Sequence, residues 1–301
     1  MAPHPLRRIL ITGATGKQGG ALISSLTSQP TPSFEIYALT RNPNSKSAQA
    51  LASRPNIKLV QGDFSNPTAI FAQIPSPWGL FSVTNPMNAT REEAQGKAMT
   101  AAAIAAGVRH IVFTATDRGG ASETDATSVP HFASKFAIEK DIIAKSAQSG
   151  GTYTFLRPVA FYENLSDDFL GRAFVALWRL NGDKSRIKFV STKDIGRVGA
   201  GAFLHSGEEE YKNKAVALAG DDVSLREAEE VFRMETGRRL PETYAFVARG
   251  LKGVLHEQLG IMFNWFKSDG FGVDIADARG KYPFVKDFRV WLKTESAWQS
   301  E

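Results

Sequence analysis

Arg7-Arg8-Ile9-Leu10-Ile11-Thr12-Gly13-Ala14-Thr15-Gly16-Lys17-Gln18-Gly19-Gly20 runs an apolar strand straight into Gly-x-x-Gly-x-x-Gly, and a helix is expected from Gly19 to about Ser28. That order brings bare backbone up to a phosphate. Gly13 turns where a side chain would be strained, Gly16 lets the backbone approach the ligand, and Gly19 lets the helix pack close to the strand. The helix N-terminus then offers unpaired N–H groups and the positive end of its dipole to an anion. Thr15, Lys17 and Gln18 complete the expected contacts of the loop. A glycine pattern alone is weak; the strand before it and the helix after it make the reading a dinucleotide site.

The next strand bears on which dinucleotide. Phe34-Glu35-Ile36-Tyr37-Ala38-Leu39-Thr40-Arg41 is closed by Asn42-Pro43. NAD-binding folds usually end this strand with a carboxylate, which accepts hydrogen bonds from the adenosine ribose. Here the position is Arg41. A carboxylate repels a 2′-phosphate, whereas a guanidinium grips one with a fork of donors. Lys17 and Lys46 add positive charge nearby, and NADP(H) is the expected cofactor.

Strands and helices alternate through the first half, which predicts an α/β, Rossmann-type, doubly wound parallel sheet with a smaller C-terminal α/β lobe. Expected strands are Arg8 to Thr12, Glu35 to Arg41, Ile57 to Gln61, Gly79 to Thr84, His110 to Thr116 and Thr152 to Arg157. Helices are expected at Thr90 to Ala106, stopped by Gly107, and at Phe132 to Ser149. The NADP-binding domain is placed at residues 1–160, completed by parts of 185–220, and a substrate or partner lobe at 161–301. In that lobe Ser224 and Glu227 have capping-box spacing, with the helix ending near Gly237. A further helix is expected around Val254 to Lys267; its Leu255, Leu259, Met262, Phe263 and Phe266 suit core or a dimer face.

The 301 residues are 43% hydrophobic and 22% charged, with no cysteine. That excludes disulfides and thiol nucleophiles, and His256-Glu257 lacks the second histidine of a zincin, so no metal site is expected. No apolar run spans a bilayer, and Met1 to Arg8 carry no apolar segment of a secretory signal, so the expected location is the cytoplasm, with the nucleus as the alternative. The net charge is +5. Lysine and arginine are spread along the chain rather than gathered in a tract, so nucleic acid is not the expected partner.

The layout resembles the short-chain dehydrogenases, which carry Tyr-x-x-x-Lys on the helix after strand five. His131-Phe132-Ala133-Ser134-Lys135 stands there, with the lysine kept and the tyrosine replaced by His131. An imidazole titrates near neutral pH and can donate a proton to a carbonyl; equally, the missing tyrosine fits a protein that binds NADP(H) without using it. Spacing of four places both residues on one helix face if the helix reaches back to 131. Thr116 lies in the region of the usual catalytic serine.

In more detail the chain is similar to the NmrA-like family of atypical short-chain dehydrogenases, a group that includes NADPH sensors. The matching pieces are Gly13 to Gly20, Thr40-Arg41-Asn42-Pro43, Gln61-Gly62-Asp63, Thr84-Asn85, His131 to Lys135, Leu156-Arg157-Pro158, Phe161 to Leu165 and Lys193-Asp194-Ile195-Gly196. The resemblance implies that Arg41 meets the 2′-phosphate, Asp63 and Phe64 the adenine, and that Thr84 and Asn85 line the cofactor. It also implies that Lys135 holds the nicotinamide ribose, while Phe161, Tyr162, Glu163 and Asn164 close over the nicotinamide end. Phe132-Ala133-Ser134-Lys135 further resembles the Phe-x-x-Lys element of isoflavone-reductase-like enzymes, which implies a catalytic Lys135. The candidate catalytic set is therefore Lys135, His131 and Thr116. The expected function is an NADPH-dependent oxidoreductase acting on a small carbonyl, quinone or enone. The alternative is a catalytically silent NADPH/NADP sensor regulating a protein partner; a homodimer is compatible with either.

Overall fold

The computed structural model describes residues 6–298. Two compact units emerge: residues 6–115, 134–157 and 195–216 form one, and 116–133, 158–194 and 217–298 the other.

The first unit is built on β1 (Arg7–Ile11), β2 (Phe34–Thr40), β3 (Ile57–Gln61), β4 (Gly79–Ser82), β5 (His110–Thr114) and β6 (Thr152–Pro158). Between them run α1 (Lys17–Thr27), α2 (Lys46–Ala52), α3 (Pro67–Phe71), α4 (Ala89–Ala105) and α5 (Pro130–Ser149). The sheet order is β3-β2-β1-β4-β5-β6, with every neighbouring pair parallel. The chain winds outward from β1 to β3 and returns to β4 on the other side. The carboxyl ends of β1 and β4 therefore flank the point where the strand order reverses, the place where such sheets bind ligands. All six strands expected in this half are present, with ends shifted by at most two residues.

The helices form for readable reasons. On α1, Leu22, Ile23 and Leu26 recur at helical spacing and are buried. Burying a side chain of this size contributes roughly 1.5–3 kcal/mol. Asn88 caps α4 by accepting from the Arg91 N–H at 2.8 Å, leaving Glu92, Gly96, Met99, Thr100 and Ala103 on its buried face.

The second unit holds β7 (Ala160–Phe161), α6 (Phe169–Leu180), β8 (Arg186–Val190), the start of α7 (Thr192–Leu204), the end of β9 (Lys214–Leu218) and β10 (Asp221–Ser224). It closes with α8 (Leu225–Thr236), α9 (Ala245–Val254), α10 (Ile261–Ser268), α11 (Ile275–Lys281) and α12 (Phe288–Thr294). Strand β9 joins the edge of the large sheet beside β6, while β10-β8-β7 form a separate three-stranded sheet. The Ser224/Glu227 capping box is present, and Gly237 ends α8 with φ +68°. Of the helix expected over Val254 to Lys267, the second half is α10; its first half is a π-turn at His256–Gly260, and α9, which the sequence did not reveal, ends at Val254 where the expected helix begins. Phe263 and Phe266 from that apolar set are core residues. Helix α6 escaped the sequence reading although Asp168 caps it by accepting from the Gly171 N–H at 2.8 Å.

Candidate functional site

The glycine loop lies between the end of β1 and α1. Gly13 has φ +59°, and its carbonyl takes the Gly16 N–H at 2.9 Å. A Cβ on Gly19 would lie 2.3 Å from the Gly13 oxygen and 2.6 Å from its carbon. Both are backbone atoms, which yield only at a cost, so glycine at 19 is what lets the helix start so close to the turn. Gly13, Thr15, Gly16 and Lys17 are exposed, Gln18 is half-buried and Gly19 is buried. Gly16 is the N-cap of α1 and supplies no side-chain cap, so the first N–H groups of the helix are open to an anion. Gln18 Oε1, in the first turn of α1, is buried with no hydrogen-bond partner among the described residues. A tight, open cradle of backbone donors fits a dinucleotide pyrophosphate.

The loop after β4 is locked to the end of β1. Thr12 Oγ1 accepts from the Val83 N–H at 2.7 Å, and the Thr12 N–H donates to the Phe81 carbonyl at 3.0 Å. This brings Thr84 and Asn85 to the same rim as the glycines. Asn85 is exposed, its Oδ1 accepting from the Met87 N–H at 3.1 Å.

At the ends of β2 and β3, Arg41 and Asp63 are both exposed. The Ser65 hydroxyl and backbone N–H hold the Asp63 carboxyl below the usual carboxylate range, and the charges of Arg91 and Arg41 add to this. Arg41 and Arg91 thus share the neighbourhood of Asp63, and Arg91 is a basic residue that the strand-by-strand reading missed. Phe64 is partly buried against the core of this unit.

Lys135 is held in a buried cluster. Its Nζ donates to Glu92 Oε1 at 2.7 Å and to Thr84 Oγ1 at 3.0 Å. The Thr84 hydroxyl donates to Glu92 Oε1 and the Ser134 hydroxyl to Glu92 Oε2, each at 2.5 Å. Glu92 is 1% exposed and Lys135 9%. Burial pushes the Glu92 carboxyl up, but the Lys135 charge and hydrogen bonds from Lys135, Ser134 and Thr84 outweigh it, so it lies below its ordinary value. Glu92 was not singled out in the sequence; a carboxylate one turn before Gly96 on the apolar face of α4 is the signal that finds it.

The remaining candidates lie in the second unit. Helix α5 begins at Pro130, so His131 and Lys135 share one continuous helix. The half-buried His131 ring stands edge-on to Phe132 at 4.8 Å. Thr116 Oγ1 donates to the carbonyls of Asp117 and Pro158 at 3.2 and 3.3 Å. Phe161 and Asn164 are partly exposed. Tyr162 is fully buried, stacked on Trp291 at 5.2 Å and on Phe189 and Phe288 at 5.7 Å. Its side chain serves the core. Glu163 Oε1 accepts from the Thr192 N–H and hydroxyl at 2.9 and 2.6 Å, capping α7. Among the described residues no cluster of metal-ligating side chains occurs, and no helix is long and apolar enough to cross a membrane.

The NmrA-like family model matches residues 5–280. The chain belongs to the NmrA-like family. Among its relatives in the family is an NmrA-like family domain-containing oxidoreductase, FrzB, of Cladobotryum sp., 27% identical over 297 residues, covering 87% of this chain and 84% of the relative. The NADPH-dependent quinone oxidoreductase QOR2 of Escherichia coli, solved with NADPH, is 26% identical with a TM-score of 0.68, covering 91% and 93% of the two chains. NmrA, a negative transcriptional regulator solved with NADP, has the same fold at 18% identity, with a TM-score of 0.72 and coverage of 97% and 96%. The family thus includes proteins described as oxidoreductases, and its fold serves a regulator as well.

Proposed function

We propose that this protein is an NADP(H)-dependent oxidoreductase that reduces a small carbonyl, quinone or enone. The observation carrying this reading is the single rim formed by the open glycine loop, the Thr12–Val83 lock and Thr84, to which the buried Lys135 is bound. The glycine loop and the α1 N-terminus grip the pyrophosphate, Gln18 takes a donor from the ligand, and Arg41 pairs with the 2′-phosphate. Asp63 and Phe64 flank the adenine, and Thr84, Asn85 and Lys135 orient the nicotinamide ribose. When bound, the dinucleotide supplies the hydride. The ammonium of Lys135 has three donors; Glu92 and Thr84 occupy two, and the third serves the ribose. His131, one turn earlier on α5, is the candidate proton donor to the substrate oxygen. The Thr116 hydroxyl is engaged by backbone carbonyls, which leaves it an acceptor's part at most.

The test is NADPH consumption with a panel of quinones, enones, aldehydes and ketones. Turnover with at least one class is expected, reduced roughly a hundredfold in His131→Ala if the imidazole supplies the proton. Arg41→Ala should narrow the preference for NADPH over NADH. No consumption with any compound would sink the reductase reading. The second reading, a redox sensor, rests on His131 standing where the dehydrogenases keep a tyrosine. It gains if the protein binds NADPH tightly, turns nothing over, and captures a protein partner only in one cofactor state.

A further inference from the structure

We propose that Glu92 is the positioning residue of Lys135, setting the direction of the one ammonium donor that reaches the cofactor; this rests on the cofactor role of Lys135 proposed above. A lysine side chain has many rotamers to lose, and an ammonium by itself has no preferred direction. Here two of its three donors are fixed at 2.7 and 3.0 Å on Glu92 and Thr84. The Phe113 ring lies 5.8 Å from Nζ. The third donor direction follows from tetrahedral geometry.

Glu92 is itself held from several sides. Its Oε1 accepts from Lys135 and Thr84, its Oε2 from Ser134. Thr84 lies on the loop beyond β4, Glu92 on the first turn of α4, and Ser134 on α5 beside Lys135 itself. The carboxylate thus ties the rim of the sheet to the helix that carries the lysine. The first turn of α4 also favours the negative charge through the helix dipole.

A purely structural ion pair would stabilise the fold without directing Nζ, and the two roles separate in binding. Glu92→Gln is isosteric. Its amide oxygen still accepts, its NH2 group can face Ser134, and the Ser134 hydroxyl can turn to accept. Only the charge on the Lys135 partner is lost. The affinities of the full-length protein for NADPH and for adenosine 2′,5′-bisphosphate are measured by calorimetry. Glu92→Gln and Lys135→Gln should each weaken NADPH roughly tenfold, the worth of one charge-assisted hydrogen bond. Both should leave the bisphosphate, which lacks the nicotinamide half, within about twofold, since Arg41 and the glycine loop are untouched. The double variant should be no weaker than Lys135→Gln alone, because Glu92 acts only through Lys135.

Equal weakening of both ligands by Glu92→Gln, no weakening of NADPH, or additive losses in the double variant would each overturn the proposal. An unchanged NADPH affinity in Lys135→Gln overturns the cofactor role of the lysine, and this proposal with it. Loss in Lys135→Gln with none in Glu92→Gln overturns only the present one. Glu92→Asp, which keeps the charge but draws it back by one methylene from Nζ, carries the same expectations should Glu92→Gln fail to fold.

Discussion

The glycine loop and the Lys135 cluster lie on one rim of the first unit and are built in opposite ways. The loop is open at Gly13, Thr15, Gly16 and Lys17, made of backbone, and complete within residues 13–19. The cluster is buried, made of side chains, and drawn from Thr84, Glu92, Ser134 and Lys135. Backbone donors hold an anion without any charge of their own, so the loop can stay open to water. The lysine carries a full charge, and burying it requires a carboxylate that is itself satisfied. One region binds by shape and dipole, the other by a directed charge.

The largest effect expected from breaking this pair is in the cluster. Lys135→Met leaves the Glu92 carboxylate buried without its counter-charge, a change that costs about 3–5 kcal/mol. Urea unfolding measures it, and a loss below about 1 kcal/mol would show that water reaches Glu92 and that the cluster is not sealed. In the loop, Gly19→Ala puts a methyl group 2.3 Å from the Gly13 oxygen. The turn must open, at about 1–3 kcal/mol of stability, and NADPH binding should fall far more than in Lys135→Gln, since the pyrophosphate cradle is lost. A Gly19→Ala protein that binds NADPH normally would mean that the cradle is not the phosphate site.

The contrast also explains what could be read from the sequence. The loop is local, so its glycines, the strand before and the helix after are visible in fourteen consecutive residues, Arg7 to Gly20. The parallel sheet follows from the alternation of strands and helices. The cluster joins Glu92 to Lys135 across 43 positions, and from sequence Glu92 passes for an ordinary acidic residue in a helix's first turn. Its burial shows only when Gly96, Met99 and Ala103 are placed on the same face. Tyr162 and Glu163 are the reverse case. A family motif points them at the cofactor, yet Tyr162 stacks in an aromatic core assembled from Phe189, Phe288 and Trp291, and Glu163 caps α7. Short strands such as β7 and β10 are fixed by pairing with β8 rather than by their own propensity, so nothing local marks them.

The smallest expected effect sharpens the comparison through pH. The Glu92 carboxyl lies below its ordinary 4.5 because its interactions with Lys135, Ser134 and Thr84 outweigh the upward push of burial. A carboxylate depressed in the folded state binds its proton more readily when unfolded. Its stabilising contribution is therefore full above about pH 4.5 and is lost as the pH falls through the lower folded value. The stability gap between the native protein and Glu92→Gln should accordingly stay constant from neutral pH down to about pH 5 and shrink on further acidification. Denaturant titrations at a series of pH values read this directly. A gap that widens as the pH falls from neutral toward about pH 5 would place the carboxyl above its ordinary value, because the folded state would then take up the proton first. Glu92 would then be a partly protonated hydrogen-bonding group, not the fixed negative charge that directs Lys135. The loop, which has no titrating group in its backbone cradle, should hold adenosine 2′,5′-bisphosphate across the upper part of the same range, so the two regions part company only where Glu92 takes up its proton.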